Sequence, residues 1–124
     1  MSRVRFTLLL AGTAGTLAAS PALSHPKLIT ANPSPNATVA GTRALQLRFS
    51  EKLIARFSAA DLVAVGANGG ASKVGGVTSR LGTDGKTLAV VPRAQLRPGA
   101  YKLMWHVVST DTHRAQGAYA FRVK

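Results

Sequence analysis

From residue 25 to the C-terminus, short aliphatic and β-branched runs alternate with clusters of Gly, Pro, Asn and Asp. Between Ala44 and Ser50 the apolar positions Leu45, Leu47 and Phe49 alternate with Gln46 and Arg48. That period of two sends successive side chains to opposite faces of a strand. Tyr101 to Ser109 and Ala118 to Val123 repeat the alternation. Leu28-Ile29-Thr30 predicts a first strand, ended by the turn-rich Asn32-Pro33-Ser34-Pro35-Asn36. Asp61 to Val65 and Thr87 to Val91 predict two more, the second entered through an Asp84-Gly85 hairpin signal. Val74 to Leu81 is a weaker candidate, softened by Gly75-Gly76, and Glu51 to Phe57 fits either a helical turn or a loop.

About seven strands at this spacing predict an all-β fold, a Greek-key sandwich or small barrel, over residues 25–124. Leu96-Arg97-Pro98-Gly99-Ala100-Tyr101 adds to that reading. A Tyr just after a Pro-Gly turn, at the start of a strand, resembles the tyrosine corner of Greek-key sandwiches.

Residues 1–24 follow a different pattern. Arg3 and Arg5 precede an apolar stretch from Phe6 to Ala19, and then Ser20-Pro21-Ala22-Leu23-Ser24 brings small residues to Ala22 and Ser24. Positive, apolar and small-x-small regions in that order predict a secretory signal peptide over 1–24. The apolar run is too short and too broken by glycine to span a bilayer comfortably. Cleavage after Ser24 makes His25 the first residue of the mature chain; cleavage after Ala22 leaves Leu23-Ser24-His25 at its front. An N-terminal His offers one metal ion two nitrogens, the free α-amine and the ring Nδ1.

Composition narrows the chemistry. The 124 residues include sixteen Lys or Arg, four Asp or Glu, three His and no Cys, for a formal net charge of +12. Without Cys there are no disulfides, thiolate metal sites or thiol nucleophiles. The four acids, Glu51, Asp61, Asp84 and Asp111, cannot build a calcium cage or a large carboxylate cluster. The basic residues are spread singly and the aromatics are few, so the charge does not read as a nucleic-acid surface. There is no Gly-x-Ser-x-Gly elbow and no glycine-rich phosphate loop.

Asp111-Thr112-His113 is the leading candidate for site chemistry. Asp and His two apart on an extended chain point to the same side and can present an oxygen and an imidazole to one ion. With His25 the set becomes an amine, two imidazoles and a carboxylate, a donor set suited to tetragonal Cu(II). His106 alternates with Trp105 on a strand and reads as a surface or packing histidine; Trp105, Tyr101 and Leu103 share a face and read as core. Glu51 is either solvated or close enough to reach the metal site.

These residues resemble a family. The stretch from Tyr101 to Phe121, with its W-x-V-V-S-x-D-x-H-x-x-x-G core, is similar to the signature of CopC, the periplasmic copper-binding resistance proteins. His25 after the signal, Asn32-Pro33-Ser34-Pro35-Asn36-Ala37, and Leu47-Arg48-Phe49-Ser50-Glu51 agree with it, so the resemblance spans essentially all of 25–124. It implies a cupredoxin-like Greek-key barrel without blue-copper ligands. It also implies one Cu(II) ion per chain, bound by a histidine brace at His25 together with Asp111 and His113. Glu51 matches a residue close to the amine in the family, a weak ligand or a partner of the ligands. Some members bind Cu(I) through a methionine-rich segment; beyond residue 24 this chain has only Met104, so no second site is expected.

The expectation is therefore a periplasmic copper carrier or sequestering protein, not an enzyme, serving copper resistance or homeostasis. Its partners would be copper and an inner-membrane transporter of the CopD type or another periplasmic copper protein, with no nucleic acid and no membrane span after cleavage. Two other readings stand beside it. One is an oxidative copper enzyme, because polysaccharide monooxygenases also use a histidine brace. The other is a metal-free Ig-like interaction module in which D-x-H is only a turn.

Overall fold

A computed structural model describes residues 25–124, together with Gly12 and Gly15. The expected signal segment otherwise lies outside the described residues. The chain runs through β1 (Leu28–Asn32), β2 (Thr38–Val39), β3 (Leu45–Phe49), a 3-10 turn (Ala55–Phe57), β4 (Ala59–Val65), β5 (Ala71–Lys73), β6 (Thr78–Leu81), β7 (Thr87–Val91), β8 (Gly99–Val108) and β9 (Arg114–Val123). Among the described residues nine strands replace the expected seven or so. The weak candidate Val74 to Leu81 does not run as one strand: Val74–Val77 turns at Gly76, φ +71°, and separates β5 from β6. β2 escaped the pattern because two residues are too few to show a period.

Two sheets form, ordered β1-β3-β7-β6 and β2-β9-β8-β4-β5. The chain passes repeatedly from one sheet to the other, in keeping with the Greek-key sandwich expected from the sequence. Alternation decides what lies between them. Leu45, Leu47, Phe49, Leu88 and Val90 from the first sheet meet Leu62, Leu103, Val107, Phe121 and Val123 from the second, all buried. Each such side chain stabilises the fold by about 1.5–3 kcal/mol relative to exposure. The tyrosine corner is present: the Tyr101 hydroxyl donates to the Arg97 carbonyl at 2.6 Å.

β8 and β9 form the longest ladder, paired from Gly99↔Val123 to Val108↔Arg114. Within it Trp105 stands opposite Gly117, and its ring lies over the glycine, 5.1 Å from the Phe49 ring centroid and tilted edge-on to it. The free end of this ladder, between Val108 and Arg114, carries Asp111 and His113.

A candidate metal centre at the end of the sandwich

The β8–β9 connection is a closed turn. Ser109 N donates to the His113 carbonyl at 2.9 Å and Thr112 N donates to the Ser109 carbonyl at 2.8 Å. Thr112 takes the left-handed conformation, φ +71°. Such a conformation is uncommon for a β-branched residue and is held here by the bonds around it. Asp111 and His113 therefore meet through a turn, where the extended-chain spacing is not what brings them to one side. His113 Nδ1 lies 3.1 Å from Asp111 Oδ1.

Ser109 is the residue that spacing did not reveal as part of the site. Fully buried, it donates its hydroxyl to Asp111 Oδ1 and lies 3.2 Å from the His113 carbonyl. Its signal in the sequence is faint but physical: the inward positions of β8 are Tyr101, Leu103, Trp105 and Val107, and Ser109 puts a polar group in the next inward slot. The Ser109 hydroxyl, and after it the His113 ring, hold the Asp111 carboxyl below the usual carboxylate range. Asp111 thus stays an anion, an acceptor for a cation, even in moderate acid.

The turn is buttressed by the segment after β3. Thr110 N donates to the Lys52 carbonyl at 2.9 Å, Ile54 N donates to the Val108 carbonyl at 2.8 Å, and Leu53 bridges Ser109. A residue earlier in the same segment, Ser50, is bonded to Lys27 and so holds the chain that leads out of His25. Pro26 is buried between them. As a result the His25 ring reaches the His113 ring, edge to face, with centroids 5.3 Å apart.

The structure thus brings together His25, Asp111 and His113. Glu51 sits half-buried between Ser50 and Lys52, the two residues that fix the leading segment and the turn, and it makes interactions of its own. His106 is exposed on the outer face of β8, turned away from Trp105 as expected. Among the described residues no three His, Cys, Asp or Glu side chains form a ready-made cage. The contacts are pairwise: ring to ring and ring to carboxylate. One atom fits a metal better than the protein alone. His113 Nδ1 is buried and has no hydrogen-bond partner, although Asp111 Oδ1 lies 3.1 Å away. Buried imidazole nitrogens are ordinarily satisfied, and an imidazole nitrogen beside a carboxylate, on a ring that meets a second imidazole, suits a nitrogen-and-oxygen cation site.

Comparison with known proteins identifies the family of the chain. The CopC domain model matches residues 28–124. The chain belongs to the CopC family. Copper resistance protein C of Xanthomonas campestris pv. juglandis is 39% identical over 90% of this chain and 89% of its own length. The protein of the same name from Pseudomonas syringae pv. tomato is 36% identical over 100% of this chain and 98% of its own. Among solved structures, PcoC, a methionine-rich copper resistance protein from Escherichia coli, superposes with a TM-score of 0.75 at 36% identity, covering 82% of this chain and 100% of that one. This CopC-family chain departs from that description in one respect: its only methionines are Met1 and Met104. Among the described residues no helix is long and apolar enough to cross a membrane.

Proposed function

We propose that this protein is exported to the periplasm, loses residues 1–24, and there binds one Cu(II) ion per chain for copper resistance or homeostasis, as carrier or store. His25 supplies its freed α-amine and ring, and Asp111 and His113 complete the donor set. Glu51 stands beside the first segment as a weak ligand or a partner of the amine. One observation carries the reading: the His25 ring meets the His113 ring where His113 Nδ1 is buried without a hydrogen bond, next to an Asp111 carboxylate held ionised. The names of the relatives described above, copper resistance proteins, supply the metal. Electrostatics of the whole chain does not. Without Arg3 and Arg5 the +12 of the full chain becomes +10, and such a field repels cations. Affinity must come from the donors themselves. Copper delivery would then pass to an inner-membrane transporter of the CopD type or another periplasmic copper protein.

Paramagnetic resonance of the mature protein with one equivalent of Cu(II) tests this directly. The expected spectrum is type-2 with nitrogen hyperfine structure, and His113→Ala should lose most of it. A spectrum of aqueous copper would leave only the metal-free interaction module. Oxygen-dependent cleavage of a polysaccharide in the presence of reductant would replace the carrier with an enzyme.

A further inference from the structure

Beside the candidate metal centre, on the outer face of the β2-β9-β8-β4-β5 sheet, an open groove of about 710 Å³ runs between the 3-10 turn and the β8–β9 ladder. We propose that this groove docks an extended acidic segment of a partner protein, one bearing carboxylates on both sides of an apolar or aromatic side chain.

The floor is apolar and the rim is cationic. Ile54 and Val108 line it, with His106 and Gln116 beside them on the ladder, and Phe57 stands at its wall with half its surface, 51%, open to solvent. Arg56 lays its guanidinium over the Phe57 ring, 5.4 Å from the centroid, and Arg114 faces it from β9, paired in register with Val108. An exposed aromatic flanked by arginines is the composition that interface centres favour. Two guanidiniums offer forked donors that match carboxylates. No Asp or Glu lines the groove. The closest acid in sequence, Asp111, has its carboxylate occupied by Ser109 and His113.

Charge selects among occupants. A second copy of this chain would bring another +10 surface to a basic groove, and like charge opposes that contact. An anionic membrane recruits clusters of basic residues, whereas here the Lys and Arg are scattered singly. A concave site with an apolar floor between two arginines suits a peptide. The position adds a consequence: Thr112, which joins Asp111 to His113, is one of the residues lining the groove. A segment seated there lies against the turn that holds both residues. Docking as such does not rest on copper, so the test begins with metal-free protein.

The probe is a synthetic nonapeptide with two Asp or Glu on each side of a central Phe, titrated into isotope-labelled mature protein at low ionic strength. Shifts should concentrate at Ile54, Phe57, Thr112 and Arg114, and a peptide with Lys in place of each acid should not bind. Arg114→Glu should weaken binding by at least about tenfold, and Phe57→Ser by about fivefold, as expected for rim charge and buried anchor. Phe57 is exposed, so the second variant should fold even if the first does not. Three results overturn the proposal: shifts spread over other basic faces such as Arg43 and Arg97, affinity unchanged in both variants, or tighter binding to phosphatidylglycerol vesicles through the same residues. Concentration-dependent dimerisation that protects the groove would assign it to a second copy instead. Loss of copper binding with the peptide data intact would fail the metal reading alone.

Discussion

Lys27 and Ser50 hold each other twice: Ser50 N donates to the Lys27 carbonyl at 2.9 Å, and Lys27 N donates to the Ser50 hydroxyl at 2.9 Å. This pair is the tether that keeps the segment leading out of His25 beside the β8–β9 turn. Ser50→Ala removes one of the two bonds and leaves the backbone bond in place. A single hydrogen bond contributes about 1 kcal/mol, so Cu(II) affinity should fall about fivefold with the melting temperature nearly unchanged. Competition titration with a chelator measures the first, and calorimetry the second.

The free amine makes a separate prediction. An N-terminal amine has an unperturbed pKa near ~8 and must lose its proton to bind metal. Affinity should therefore rise with pH up to about that value. A form carrying one extra residue before His25 should bind far more weakly and lose this pH dependence. With His25 first, Pro26 has no amide proton to release, so the backbone contribution stops at the amine. Equal affinity of the two forms would rule out the brace.

Acid should act on stability through Asp84. Its Oδ1 accepts from Lys86 N and Thr87 N, both at 2.9 Å, and its Oδ2 accepts from the Thr87 hydroxyl at 2.6 Å. The Thr87 hydroxyl, then the two amides, lower its carboxyl from 3.8 to about 2. A pKa lower in the folded state stabilises the fold fully above the unfolded carboxylate range, and that contribution is lost as pH falls from about 4 towards 2. Asp84→Asn should flatten this part of the thermal-stability profile, and Asp111, also lowered, should account for part of the residual slope.

Gly117 should resist substitution. A Cβ built there would lie 2.7 Å from Cε2 of Trp105, on the strand directly opposite. Because both backbones are fixed in the ladder, the ring must move, at a cost of about 1–3 kcal/mol for an overpacked site. Trp105 is the sole tryptophan, so Gly117→Ala should change intrinsic fluorescence in the folded state as well as lower the unfolding midpoint.

How much of this was legible in the sequence depended on whether the cause was local. β3, β8 and β9 showed themselves through alternation, because one face of each is buried, and β7 through the Asp84-Gly85 turn before it. The tyrosine corner showed itself through the turn before Tyr101. β2 did not, since Thr38 and Val39 become a strand only by lying parallel to Arg122 and Val123. The ambiguity of Glu51 to Phe57 had the same origin. That segment takes its form from bonds to Val108 and Thr110, residues far along the chain. Asp111 and His113 were found by residue type and spacing, but the left-handed Thr112 that joins them was not, and neither was Ser109 as the donor to Asp111. A candidate pair can be read from spacing; the hydroxyl that bonds one member of it is a tertiary fact.

His25 leads into β1, in one sheet, whereas Asp111 and His113 join β8 to β9, in the other. An ion shared by the three would be a cross-link between the two layers of the sandwich, closing a loop that runs through nearly the whole mature chain. The protein without cysteine would then acquire on loading the kind of long-range staple that a disulfide supplies elsewhere. Unfolding would have to break it, so saturation at about a hundred times Kd should add about 2.7 kcal/mol to the whole fold, and removing the ion should loosen this end of the sandwich first.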